Sequence, residues 1–554
     1  MKSARARTLS FAMIAGTPPR PPRAVSRLPP PLATECSPRD RSSSEELMEV
    51  KTIKKRLDKA RADRQRLEPM FDDAMRLTMP GRVRFTQTPV EDGSDVMDET
   101  GANAVSEFVS RISAGVTPPF QPFLRLQASS LVSKADRKAI NADLDEITEY
   151  AFEQIWQSNF SQELNEAHFD MAVSTGTLLV EEGDDGTVLK HRAIPMPEMF
   201  FERGGDGTLR GKFHRGEIEA SEIESAYPGA KIDPALARKL KKDGDRPLNV
   251  ISYLRTEPGR TPVSHHVVMI EEHNAIIQER SFSGKGADPF IAYRWGTNAG
   301  SAWGRGPLMN SLAAVRTTNL MVELVLENAA MSIVGLYQTD NDATINADTV
   351  NLLPGTILPK EIGTKGLEAI NMASGNFNMR DVVLNDQRTN IKRALFNDML
   401  SDPNKTPATA YEVSERMADL AYRSAAGFSR IFYEMVCPYF WRVLHILEKR
   451  GDIELPTQNR RAIRFNAISP LAQAQFGRDL QALLQQHQMN MALFGQQGAT
   501  AALDIERVLP WMQERSGLPE GLFKKPADVV AAVQQAAQLM ANAAAIQQQG
   551  GSQQ

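Results

Sequence analysis

The sequence predicts an α+β fold, mainly helical, on three observations. Apolar residues recur at helical spacing between Glu49 and Thr175, strands alternating about Asp-Gly turns fill Gly176–Trp295, and helical patterns resume at Pro307. At 554 residues the chain exceeds one ordinary core, so several structural regions are expected. Hydrophobic residues make up 42% and charged residues 24%, a globular composition. The formal net charge of -4 advertises neither nucleic acid nor an anionic membrane, although a local lining can differ from the total.

Residues 1–47 stand apart. They are rich in Arg, Pro and Ser and carry no sustained apolar period, so they read as a disordered arm or as an extension upstream of the true start. The apolar patch Leu9–Ala15 is short for a signal peptide, and the proline density opposes an amphipathic transit helix. From Glu49 to Leu77 the pattern is a charged helix, broken at Glu68-Pro69. Further helices are expected at Thr100–Val116, Asn141–Ser158 and Glu163–Thr175.

The segments "TLLVEEGDDGTVLKHRAI" and "MFFERGGDGTLRGKFHRGEI" each hold two alternating strands around Asp-Gly, the strongest short-range hairpin signal. The acidic tips at Asp184-Asp185 and Asp206 lack calcium-loop spacing and a distal Glu, so plain turns are expected. His265, His266 and His273 fall where neighbouring strand residues point to opposite faces, so no metal site is assigned. The Gly-Lys of "TLRGKF" lacks the first glycine and the hydroxyl of a phosphate loop, and "GFSRI" lacks the second glycine of a nucleophile elbow. No catalytic residue and no cofactor site is assigned. Cys36 and Cys437 cannot build a disulfide framework. No long uncharged apolar run occurs, so no membrane partner is expected.

The helix opened by "WGRGP" is different. Leu308, Leu312, Val315, Asn319, Val322, Leu326, Ala329 and Ile333 follow a heptad spacing with one polar position. Ala313, Leu320, Leu324 and Met331 broaden the apolar surface, so the helix needs cover on more than one side. Either a subunit neighbour or the core of a monomer satisfies that need. Short strands and turns follow from Leu336 to Met379, then a returning helix, the polar loop "SDPNKTPAT", and a long helical tract from Ala410 to Glu448.

That order, with "WGRGP" at Trp303–Pro307, "TPATAYEVSERMADL" at Thr406–Leu420, "SPLAQAQ" at Ser469–Gln475 and the C-terminal "SGLPEGLFKKPADVVAAVQQAAQ", resembles the portal, or head-to-tail connector, of tailed phages, especially short-tailed ones. Tyr411 departs from the Thr-Ala-Thr-Glu-Val common at that place. The resemblance implies a wing (48–305), a stem helix (306–333), a clip (334–380), a returning stem helix (381–400), a tunnel loop (401–409), a long wing helix region (410–469) and a crown or barrel (470–554). It implies a non-enzymatic ring, usually a dodecamer, at one capsid vertex of the virion, assembled in the host cytoplasm. The implied partners are terminase, capsid and scaffolding proteins, tail adaptor proteins, and double-stranded DNA passing the channel without sequence preference. The alternative is a nucleic-acid-binding adaptor or scaffold that forms no ring.

Within this frame Leu312, Val315, Asn319, Val322 and Leu326 are the expected stem contacts between subunits. Asn404 and Lys405 of the tunnel loop, with Arg388 and Lys392 on the returning helix, are the expected channel residues. For Arg388 and Lys392 a salt bridge to Asp386 or Asp398 is the open alternative. For the loop it is simple solvent exposure.

Overall fold

In the computed structural model the described residues are 49–85, 96–133, 136–183, 186–234, 246–259, 262–334, 377–397, 422–456 and 460–502, with 337–338, 368–369 and a few short stretches besides. The arm before Met48, the loop 401–409 and nearly all of the C-terminal tail lie outside them.

Helix α1 (Val50–Gln65) repeats buried residues at Ile53, Leu57, Ala60 and Arg64, one face of a helix. Helix α2 (Glu68–Thr78) follows with Pro69 in its first turn, where a missing N–H costs no hydrogen bond. The expected break thus separates two helices. Helices α3 (Thr100–Val116), α4 (Arg137–Gln157) and α5 (Phe160–Val173) complete the N-terminal set, with strand β1 (Leu124–Ala128) between the first two.

Both Asp-Gly hairpins form. Strands β2 (Thr175–Glu182) and β3 (Leu189–Ala193) pair with Leu178 opposite Ala193, and β4 (Met199–Arg203) pairs with β5 (Leu209–Glu219) with Phe200 opposite Phe213. Strands β6 (Pro247–Glu257), β7 (Val263–Ile270) and β8 (Ala275–Ser283) extend the second hairpin into an antiparallel sheet ordered β4-β5-β6-β7-β8. Helix α1 lies on this sheet, its buried stripe against Phe200, Phe213, Ile251, Tyr253, Val267 and Met269. Two carboxylates from the sheet fasten it: Glu202 accepts from Arg56 (3.2 Å), and Glu271 from Arg61 (3.1 Å).

Strand β9 (Phe290–Arg294), buried along its whole length, joins β2 and β3 in a sheet ordered β3-β2-β9. This sheet, helices α2 to α5 and the helix at Cys437–Arg450 share the largest core. The long helix α6 (Leu308–Val334) contributes only its first turns to that core, through Leu308, Met309, Leu312 and Val315. Of the β insert expected after it, one two-residue pair is described, β10 (Tyr337–Gln338) with β11 (Glu368–Ala369). Helix α7 (Phe377–Ala394) then packs along α6.

The returning helix was expected over Asp381–Leu400, and the structure corrects its end. Phe396 adopts a left-handed backbone (φ 60°), and the Asn397 N–H turns back to the Lys392 carbonyl (2.8 Å). The Phe396 ring fits between Phe108 and Trp295, at centroid distances of 6.3 and 5.5 Å. That tertiary socket overrides the helical pattern of the sequence.

After residues 422–431, which are helical, a π turn at Phe432–Val436 precedes α8 (Cys437–Arg450). Pro438 accounts for the wider turn, because it has no N–H and its ring would clash with the Glu434 carbonyl in an α turn. Strand β12 (Ile463–Ala467) pairs with β1, and α9 (Pro470–Ala501) follows.

Candidate functional site

The root of α6 is built by close backbone approach. Trp303 is buried against Phe71 and Phe201 (centroids 5.9 and 4.8 Å). Gly304 donates its N–H to Thr175 Oγ1 (3.0 Å), its carbonyl accepts from Ser174 Oγ (2.9 Å), and Gly306 donates to the Val173 carbonyl (2.8 Å). A Cβ on Gly304 would collide with the Ser174 carbonyl oxygen, and one on Gly306 with that of Ala172. The two glycines of "WGRGP" therefore let the chain lie directly on the junction of α5 and β2, and Pro307 turns it into the helix. The direction of the long helix is fixed at this point.

Along α6 the five expected interface residues separate. Leu312 and Val315 are buried in the chain's own core. Asn319 turns inward to a polar node: its Oδ1 accepts from the N–H groups of Met97 (2.7 Å) and Asp98 (3.2 Å). Val322 is half-buried, while Leu326 is 54% exposed. Leu320 and Leu324, from the broader apolar set, are equally exposed, and Ala313 and Thr317 are exposed on the same face.

The same node explains Arg388. Its Nε and Nη2 donate to Asp98 Oδ2 (3.0 and 2.6 Å), a carboxylate on the entry to α3 rather than the neighbouring Asp386. Burial opposes ionisation of Asp98, but hydrogen bonds from Thr100 and Arg388 outweigh it and hold the carboxyl below its ordinary value. Asn319 and Arg388 thus join α3, α6 and α7, and neither is left free for a partner. Lys392 is exposed on α7. Asp398, Asn404 and Lys405 lie outside the described residues.

Where α7 ends, helix α3 and the helical segment 422–431 grip the chain. Arg111 of α3 donates to the Phe396 carbonyl, Asn397 Nδ2 to the Ala104 carbonyl (2.7 Å), and Arg423 Nη2 to the Arg393 carbonyl (3.1 Å). The Arg423 guanidinium also stands over the Phe396 ring at 5.5 Å. Sequence reasoning missed this knot, since no local pattern marks it.

The histidines serve the scaffold. His265 Nδ1 lies 3.0 Å from Ser281 Oγ and His266 Nε2 2.6 Å from Ser252 Oγ. Burial lowers His168 and His191 to about 3, so both are neutral beside Tyr293 (2.7 Å) and Tyr439 (3.1 Å). Asp206 closes its hairpin by accepting from Thr208 and Arg210. Among the described residues no cluster of His, Cys, Asp and Glu is arranged to hold a metal ion, and no helix is long and apolar enough to cross a membrane.

A "Probable portal protein" of Bordetella phage BPP-1 is 22% identical over 430 residues, covering 69% of this chain and 71% of the relative. Among solved structures, a chain of the virion of the native gene transfer agent particle is similar over 76% of this chain and 90% of that one, at 11% identity and a TM-score of 0.35. A chain from the neck of the empty gene transfer agent particle has the same coverage and identity and a TM-score of 0.31. Residues 50–523 match the model of the bacteriophage head to tail connecting proteins, and the chain belongs to that family.

Proposed function

We propose that the chain is the portal subunit of a tailed phage, assembled with copies of itself into a ring at a capsid vertex of the virion. The observation that carries this reading is the uncovered stripe on α6. Ala313, Thr317, Leu320 and Leu324 recur at helical spacing and all face solvent, on a helix whose root is rigidly docked. An exposed apolar stripe on a fixed helix calls for cover by another chain. A heterologous contact between neighbouring copies that closes into a ring covers it. A dodecamer is the expected closure. Capsid and tail components are the expected neighbours, with terminase docking for packaging, and the chain itself performs no catalysis.

The regions then follow as a wing over 48–305 and 410–469, a stem over 306–333 and 381–394, a clip over 334–380 and a crown from 470 onward. Leu326 and Val322 extend the stem contact, while Leu312, Val315 and Asn319 support it from within. Double-stranded DNA would pass without sequence preference, met by Asn404 and Lys405 of the loop 401–409, and by Lys392 along α7. Arg388, committed to Asp98, supports the wall instead of facing DNA.

Native mass spectrometry tests the ring. A Leu320→Asp/Leu324→Asp variant should fold as the parent does, since both side chains are already exposed, yet remain monomeric. Intact rings from that variant would remove the stripe from the interface, and a monomeric parent chain would favour the adaptor reading. For the loop, Lys405→Glu should leave ring mass unchanged and shorten the packaged genome. Full-length packaging would sink the role of Lys405.

A further inference from the structure

A cleft of about 520 Å³ opens between the β4–β5 turn, strand β9, the loop 297–301 and the π turn. Arg203, Lys212, Arg294 and Arg430 border it, against two carboxylates, Asp206 and Glu434. Internal pairing uses only part of this charge. Lys212 directs its ammonium to Asp288 (2.5 Å) and to the Phe290 carbonyl. Arg294 places Nε and Nη2 on Glu434 (3.0 and 2.7 Å) and Nη1 on the Ala302 carbonyl (3.1 Å). Asp206 is held by Thr208 and Arg210 within its own turn.

Glu434 is saturated. Its Oε2 accepts from the N–H and Nε of Arg294, and its Oε1 from Arg294 Nη2 and Arg430 Nη1 (3.0 Å). One carboxylate thus neutralises one of two guanidinium groups. Arg203, exposed, pairs with no carboxylate among the described residues. The cleft therefore keeps an excess of about two positive charges, both on guanidinium groups that favour planar, two-oxygen acceptors.

We propose that this cleft binds the carboxylate of an acidic side chain on a short segment of a partner protein, with Arg203 and Arg430 as its donors. The size is that of a pocket for a few side chains, well short of a duplex. Leu209 and Pro438 supply apolar wall and Asn298 an amide, the mixture a peptide side chain and its backbone require. The site does not depend on ring assembly.

Fluorescence anisotropy on the full chain tests it, using a labelled peptide with one glutamate among apolar residues and its glutamine counterpart. The glutamate peptide should bind about tenfold or more tightly than the glutamine one, as loss of charge-assisted hydrogen bonds dictates. Arg203→Gln should weaken it by a similar factor with the unfolding midpoint unchanged, since that side chain is exposed. Arg430→Gln should add to the loss, and Arg280→Gln, on the distant strand β8, should change nothing. Equal binding of both peptides, or wild-type binding by Arg203→Gln, overturns the site. Displacement of the peptide by duplex DNA, or binding of inorganic phosphate without any peptide binding, overturns the choice of ligand.

Discussion

Gly306→Ala should lower the folding stability of the chain by about 3 kcal/mol, the upper end of what an overpacked site costs. The added methyl would meet the Ala172 and Met171 carbonyl oxygens at once. Both belong to the last turn of α5, whose residues Met171, Ala172 and Val173 are fully buried, so that turn cannot withdraw. The root of α6 would have to move outward, breaking the bond from Gly306 to Val173 and loosening Trp303. Equilibrium urea unfolding followed by circular dichroism measures the loss. Gly205→Ala is the control: nothing lies within 4 Å of a Cβ there, and a change within about 0.5 kcal/mol is expected for such a surface site. Equal effects from the two substitutions would show that the close approach at Gly306 has no special weight.

Glu434→Ala should be as damaging, costing about 3–5 kcal/mol, because it leaves a buried guanidinium without its counter-charge. Arg294 is only 4% exposed, and three of its four donors to the surroundings end on Glu434. The pair also joins β9 to the π turn, so its loss separates two elements of the main core. The double variant Arg294→Met/Glu434→Leu should recover most of the stability, since an apolar pair of similar volume removes the stranded charge. A double variant no more stable than Glu434→Ala would mean that the contacts matter and the isolated charge does not.

The sequence announced what is local. Helical spacing marked α1 to α6, and Asp-Gly placed both hairpins, because those signals act over a few residues. The end of α7 escaped because Phe396 is left-handed only in a socket made by Phe108 and Trp295, far away along the chain. Asn319 and Arg388 were legible as odd residues on apolar or charged stripes, but their common partner segment at Met97-Asp98 lies more than two hundred residues upstream. The π turn had a visible signal that went unread: Pro438 stands inside what reads as one uninterrupted helix from Ala410 to Glu448. Periodicity on α6 gave the apolar faces and could not say which of them the chain would cover for itself.

The pairing of β1 with β12 sets a timetable for folding. Leu124 lies opposite Ala467 and Ala128 opposite Ile463, and the Ile468 N–H closes the ladder on the Phe123 carbonyl (3.0 Å). Leu124 and Leu126 are fully buried, yet the strand beside them is made more than three hundred residues later. At ordinary rates of synthesis that interval is roughly 20–70 s, during which the N-terminal helices wait on the ribosome with an open strand edge. The nascent chain is therefore a customer for chaperones, and any subunit that meets another before Ala467 emerges does so without a finished core.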